Sequence, residues 1–354
     1  MNFYQAMQLD VSVCKEKIRT AATKSEKHKF VAALIIKDVL CVLFAIAFIS
    51  VLNFFFGNEN SSAAVVIFCI LLMVRFVDFG YRIKGSMINF FVVFVLLTFS
   101  PCIAQSVNPV IGFCINFLSI GFIVISACHE PLYGSAGLYL FAYMFLYGNP
   151  VEGRLLGLRT LEMLIGVLIC GAVFYINHRK KHYDKSFFQI VKDFSLSTSL
   201  GRWQFQVILG LSLGILVGEL LQVDRVMWVG CACLTVLTQY GERPNKRAFQ
   251  RLGGVVAGSL LFGIVYQLLP PAAQPSLGIY SGLLLGLCAA YHWKTLLNCF
   301  GALLMATSIF GLKSAIILRI ANNIIGCCFG VFFYYAYNFA VNRLIKDRTS
   351  GNMC

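Results

Sequence analysis

Acidic residues are scarce in this chain. Asp and Glu number 15 against 29 Lys and Arg, and charged residues fill only 12% of the 354 positions. A soluble globular surface carries about twice that share of charge, so a water-soluble domain is excluded. Histidine is rarer still. The five present (His28, His129, His178, His182 and His292) fall in loops or at the ends of apolar runs, with no pair at metal-ligand spacing. No acidic cluster, Gly-rich phosphate loop or G-x-S-x-G elbow is present, so the expected complement of metals and cofactors is none, and enzyme chemistry and ATP hydrolysis are not expected. The net charge of +14 is spread between apolar runs. No polar stretch is long enough for a basic binding domain, which sets nucleic acid aside as a partner. The 14 cysteines lie mostly inside apolar runs, where a thiol packs as a small hydrophobe.

What the chain does have is apolar length. Hydrophobic residues make up 59% of it, with a mean hydropathy of +0.79. Continuous apolar segments of about 20 residues recur, the length a helix needs to cross the hydrocarbon core. Continuous rather than alternating runs exclude a β-barrel. The expected fold is therefore an all-α integral membrane protein in contact with the lipid bilayer, with about twelve transmembrane helices. The first set of six covers 30–55, 62–79, 85–104, 107–128, 132–148 and 155–177. The second covers 203–221, 226–239, 251–270, 276–291, 295–311 and 315–341. Dipeptides such as Ser100-Pro101 and Pro270-Pro271 supply the punctuation. The expected organisation is a basic N-terminus (1–29), a first six-helix repeat (30–177), a polar linker (178–202) able to form a short amphipathic helix, a second repeat (203–341) and a tail (342–354). The N-terminus lacks a cleavage motif, so the first apolar run reads as a retained span.

Basic residues set the expected orientation. Twenty-three of the 29 Lys and Arg fall in the termini, the linker and the loops sharing their side. Only Arg154, Arg225 and Lys313 lie in loops on the opposite side. That asymmetry places both termini in the cytoplasm of a multi-pass plasma (inner) membrane protein.

The two sets echo each other in order. "DFGYRIKGSMIN" at 78–89 aligns with "QYGERPNKRAFQ" at 239–250, setting Arg82 over Arg243. "LGLRTLEMLIG" at 156–166 aligns with "IILRIANNIIG" at 316–326, setting Arg159 over Arg319 and Gly166 over Gly326. An even number of spans per half implies two parallel repeats, whose shared axis is where such proteins place a substrate site.

Charges inside the spans are the first candidates for chemistry, because burying one in lipid costs about 2.5–3.5 kcal/mol or more. Arg159 and Arg319 lie a turn into the last span of each set. Glu162 and Asn322 follow three residues later on the same helical face, and Asn323 adds a donor. A guanidinium fork suits a carboxylate, so these five residues form the expected substrate-binding set. Snorkelling of both arginines to the outer interface is the competing structural reading. Lys37 and Asp38 read as interfacial, Arg75 and Asp78 as an i,i+3 ion pair, and Glu219 as an outer-interface acid that could carry a coupling proton. The stripe Tyr139, Tyr143 and Tyr147 reads as a lipid-interface anchor. The spacings Gly210-xxx-Gly214-xxx-Gly218, Gly254-xxx-Gly258, Gly282-xxx-Gly286 and Gly326-xxx-Gly330 read as helix-packing faces.

The most charged loop is "QYGERPNKRAFQRLGG" at 239–254, with Arg243, Lys246, Arg247 and Arg251 against the single acid Glu242. Its "RPNKRAFQRLGGVVAGSLLFG" resembles the signature of the fusaric-acid-resistance-like, or aromatic acid exporter, family. The resemblance is carried by Arg243, Pro244, Arg251, Gly254 and Gly258, with Val255 where the family usually has Thr. It covers 203–341 well and 30–177 weakly. It implies export of small organic anions, typically aromatic carboxylates, with the loop as family motif and cytoplasmic gate. A passive organic-anion channel and a non-transporting membrane scaffold are the alternatives, and assembly into a homo-oligomer stays open.

Overall fold

The computed structural model describes residues 1–241 and 243–351. Glu242, the single acid of the charged loop, and the last three residues of the tail lie outside the described residues. All regular structure among the described residues is helical.

Two short helices, α1 (Phe3–Gln8) and α2 (Val11–Thr20), precede a long α3 (Lys24–Phe56). Then follow α4 (Ser61–Met73), α5 (Ile83–Ser106), α6 (Pro109–Ala127), α7 (Ser135–Tyr147) and α8 (Gly153–His178). The linker contributes α9 (Phe187–Lys192), where Ser186 and Gln189 form a capping box, so the short helix expected there is present. The remainder comprises α10 (Ser199–Leu220), α11 (Val226–Leu237), α12 (Pro244–Leu268), α13 (Leu277–Gly286), α14 (Tyr291–Phe310) and α15 (Leu312–Gly351). Each of the twelve apolar segments overlaps a helix, although α4 stops at Met73, short of residue 79, and α13 stops at Gly286, short of residue 291. Eight have the length and apolarity to cross a membrane on their own: α3, α5, α6, α8, α10, α12, α14 and α15. The chain is a multi-pass, all-α membrane protein.

Helix ends follow local chemistry, with one exception to expectation. Asn108 accepts from the Ile111 N–H at 2.9 Å with Pro109 at the first helical position, and Thr198 accepts from the Gly201 N–H at 3.0 Å. Pro270-Pro271 does follow the end of α12. Ser100-Pro101 does not break α5, which runs five residues further to Ser106. Proline survives inside apolar helices where neighbouring helices re-satisfy polar groups. Next to Pro101, the Ser100 hydroxyl accepts a hydrogen bond from Ser119 of α6 at 2.8 Å, and both are buried, so α6 packs closely on α5 at this point.

Contacts divide the chain into two compact units that are not the two sequence halves. The first holds residues 1–48 and 249–321, the second residues 49–248 and 322 onward. In the first unit, α1 and α2 pack their apolar sides (Ala6, Cys14) on Phe30, Ala33 and Leu34 of α3. The Cys14 thiol reaches the Phe30 carbonyl at 3.5 Å, and Lys37 donates to the Leu9 carbonyl at 2.7 Å. Asp38 of α3 is buried against Gly286 of α13. Gly254 and Gly258 of α12 lie on α14, so close that a Cβ at 258 would overlap the Leu296 carbonyl. The expected Gly254-xxx-Gly258 packing face is real. Gly282 faces open space and is no part of one.

In the second unit the short helices form the core. Ten residues of α11 are buried, as are nine of α7 and eight of α4. The longer α5, α6, α8 and α10 pack around them. Helices of 12 and 13 residues extend only about 20 Å, which is tolerable where protein rather than lipid surrounds their ends. An aromatic cluster of Phe79, Phe90, Phe174 and Tyr139 fills the space between α5, α7 and α8, with centroids 5.2–6.2 Å apart.

Candidate functional site: a buried polar belt

Arg159 is fully buried on α8. Its Nε donates to Asn60 Oδ1 at 3.2 Å, its Nη1 to the Asn149 carbonyl at 2.8 Å and its Nη2 to Ser62 Oγ at 3.0 Å. The side chain therefore points into protein, which rules out snorkelling. Three of its five donors hold the turn before α4, the start of α4 and the loop before α8. The Cys102 thiol of α5 lies beside the same guanidinium. Glu162, one turn further along α8, is also fully buried, and neither of its carboxyl oxygens has a hydrogen-bond partner among the described residues.

Asn322 makes a matching contact in the same unit. Its Nδ2 donates to the carbonyls of Asp224 at 2.6 Å and Arg225 at 3.3 Å. Those carbonyls precede α11, at a turn where Gln222 and Arg225 adopt left-handed backbone, with φ of 51° and 60°. Such φ values are uncommon outside glycine, and the Asn322 amide holds this turn in place. Arg225 itself donates to the Gly148 carbonyl at 3.2 Å. Helix-to-helix contact repeats the parallel: Gly166 of α8 lies against Ile67 of α4, and Gly326 of α15 against the Val229 carbonyl of α11. Asn323 is fully buried in the second unit. Arg319 is buried and belongs to the first unit. The five expected substrate-binding residues thus fall into Arg159 with Glu162, and Asn322 at the α11 turn with Asn323 beside it in the sequence, all in the second unit, while Arg319 belongs to the first.

The tyrosine stripe corrects the sequence reading. Tyr139, Tyr143 and Tyr147 are buried inside the second unit rather than anchored at a lipid interface. Tyr143 donates to Asn116 Oδ1 at 2.7 Å and Tyr147 to Glu219 Oε1 at 2.9 Å, joining α7 to α6 and to α10. Gln105 of α5 also reaches the Tyr147 carbonyl. Asn116, Tyr147, Glu219 and Gln105 line a small cleft with about 20 Å³ of room. That is space for about one water and not for an organic molecule. Asn116 and Gln105 went unnoticed in the sequence, because one amide in an apolar run carries no spacing signal.

The expected Arg75–Asp78 pair does not form, because α4 stops at Met73 and the two never share a helical turn. Asp78 instead accepts from Lys181 Nζ at 2.6 Å, from the Tyr183 hydroxyl at 3.1 Å and from the Gly80 N–H at 2.8 Å, with His178 Nδ1 at 3.5 Å. Burial opposes its charge, but these donors outweigh burial and hold the carboxyl below the usual carboxylate range. Burial and the adjacent Asp78 charge push the Tyr183 hydroxyl up to about 12. The linker is thereby clipped onto the loop between α4 and α5, with Arg82 N–H donating to the Lys185 carbonyl at 3.0 Å. Arg75 lies over the Phe76 ring instead.

In the motif loop, Pro244 is buried and opens α12, while Arg243 is exposed. Arg251 donates to the Tyr291 hydroxyl at 3.4 Å.

Comparison with known proteins bears on this loop and on the helices around it. Residues 206–333 match the model of the fusaric acid resistance protein-like family. The resemblance read from Arg243, Pro244, Arg251, Gly254 and Gly258 therefore stands over that stretch. The fusaric acid resistance protein-like segment runs from α10 into α15 and takes in Arg319, Asn322, Asn323 and Gly326. Arg159 and Glu162 lie outside it. No curated protein and no solved structure matches the chain. Among the described residues no group of His, Cys, Asp and Glu could hold a metal ion.

Proposed function

We propose that the chain is a membrane transporter that exports small organic anions, aromatic carboxylates foremost, and that it acts without enzyme chemistry, cofactor or metal. The observation that carries this reading is the fusaric acid resistance protein-like match over residues 206–333, set in a multi-pass helical membrane protein. Arginine buried in an apolar helix supports an anionic cargo, since such charge is costly and is kept where a pathway uses it. Arg319, within the matched segment, is the residue proposed to hold the carboxylate. Arg159 serves the same purpose through its charge while anchoring α4.

The transporter is proposed to be a duplicated six-helix module. Supporting this, α8 ties down the start of α4 through Arg159 as α15 ties down the turn before α11 through Asn322. In agreement with this order, Asp38 of α3 meets Gly286 of α13 and α10 packs with α6, each a first span against the fourth of the other set. The concentration of Lys and Arg on one side supports cytoplasmic termini in a plasma (inner) membrane.

Everted membrane vesicles test the function. Vesicles carrying the protein are expected to accumulate labelled benzoate faster than control vesicles, with other aromatic carboxylates competing and Arg319→Ala reducing uptake. Equal uptake by both vesicle types for every organic anion tried overturns the reading.

A further inference from the structure

The unpaired carboxyl of Glu162 poses a physical problem. It lies in an apolar helix at 0% exposure with no donor to either oxygen among the described residues. A bare carboxylate in such a place carries the full cost of lost hydration, whereas a neutral carboxyl carries a small part of it. Yet a countercharge stands one turn away on the same face, since residues i and i+3 of a helix are neighbours. That countercharge, Arg159, is turned instead toward Asn60, Ser62 and Asn149.

Among the described residues, the polar groups recorded at Glu162 and at its neighbour Arg159 are few. Its own helix offers Arg159 as the charged neighbour. The turn before α4 and the start of α4 offer Asn60 and Ser62, which do not titrate, and Glu59 on that turn is exposed. Helix α5 offers the Cys102 thiol beside Arg159. Arg159 thus has two sets of acceptors, one of which carries charge only when its proton is gone.

We propose that Glu162 is a proton-binding site, and that its proton and the Arg159 guanidinium exclude each other. With the proton bound, Arg159 holds Asn60 and Ser62, as in this structure. When the O–H bond breaks and the proton leaves to solvent, the carboxylate draws Arg159 to itself and the tether on α4 is released. The step involves one proton and no change of oxidation state, and it couples protonation to the position of a core helix. As a coupling site for anion export the inference rests on the transporter reading. As a proton site it does not.

Infrared difference spectra of the full-length protein in liposomes, taken between acid and alkaline pH, test it without transport. The wild type is expected to lose a protonated-carboxyl carbonyl band as pH rises. The near-isosteric Glu162→Gln is expected to lack that band, and Glu162→Asp to keep it at a shifted frequency. An unchanged band in Glu162→Gln overturns the proposal. Arg159→Lys, which keeps the charge but not the fork, gives a second readout: the band is expected to disappear at a different pH from the wild type, and an unmoved transition overturns the coupling to Arg159. In flux measurements, a pH gradient is expected to stimulate anion movement by the wild type and not by Glu162→Gln, and equal stimulation of both overturns the coupling role. If the infrared band behaves as expected while the wild type moves no anion, the transporter reading fails and the proton site stands.

Discussion

Arg159 donates to Ser62 Oγ at 3.0 Å across 97 residues of sequence, and both groups are buried. The bond fixes the N-terminal end of a 13-residue helix too short to be held by lipid alone. An arginine in an apolar helix thus does structural work wherever else its charge is felt.

Replacing Arg159 by Met should therefore destabilise the protein. It strands Asn60, Ser62 and the Asn149 carbonyl inside the second unit, at roughly 1–3 kcal/mol for each buried group left unpaired. Thermal unfolding in detergent should show a clear drop for Arg159→Met. An unchanged midpoint would mean that the three bonds contribute nothing.

The glycine faces give a sharper pair. Gly258→Ala and Gly326→Ala force a methyl into the Leu296 and Val229 carbonyls, and overpacking of this kind costs about 1–3 kcal/mol. Gly282→Ala meets no atom within 4 Å and removes a helix-weakening glycine, so it should be neutral or stabilising by up to about 1 kcal/mol. The unfolding midpoints of the three variants, measured side by side, decide this. Equal effects would contradict the packing described.

The tyrosine stripe separates by hydrogen bonding. Tyr143→Phe strands Asn116 Oδ1 and should cost about 1–3 kcal/mol. The Tyr139 hydroxyl is buried without a hydrogen-bond partner among the described residues, so Tyr139→Phe should be neutral or mildly stabilising. Opposite rankings in thermal unfolding would overturn the assignment.

The existence and order of the helices were legible in the sequence, because each needs only a continuous apolar run. The family motif was legible as well, since Pro244, Gly254 and Gly258 each have a local backbone reason to be there. Partnerships were not. A tyrosine every fourth residue fits a lipid interface and a core equally well, and only the partners Asn116 and Glu219, on other helices, decide between them. Asp78 chose Lys181 over Arg75 because α4 ends early, and in an apolar run nothing marks that end. Pro101 reads as a break, yet α5 runs through it with α6 packed alongside. The grouping of α3 with α12–α14 depends on long-range packing, which hydropathy does not encode.

The linker clip has a definite pH sign. Because the Asp78 carboxyl is held below its ordinary value, its stabilising contribution is present above about pH 4, the unfolded carboxylate value, and is lost as pH falls through the lower folded value. The clip should hold throughout the neutral range. Asp78→Asn should mimic the acid state at pH 7, exposing Lys181 and Lys185 to faster trypsin cleavage than in the wild type. Equal cleavage rates would contradict the clip.

The central claim is transport of organic anions, and counterflow in proteoliposomes tests it most directly. Liposomes containing only the purified protein are loaded with unlabelled benzoate and diluted into a trace of labelled benzoate. The account predicts transient accumulation of label above equilibrium, reduced by Arg319→Ala and absent from protein-free liposomes. Label entry no faster than in protein-free liposomes, for benzoate and for every other small organic carboxylate tried, would contradict it.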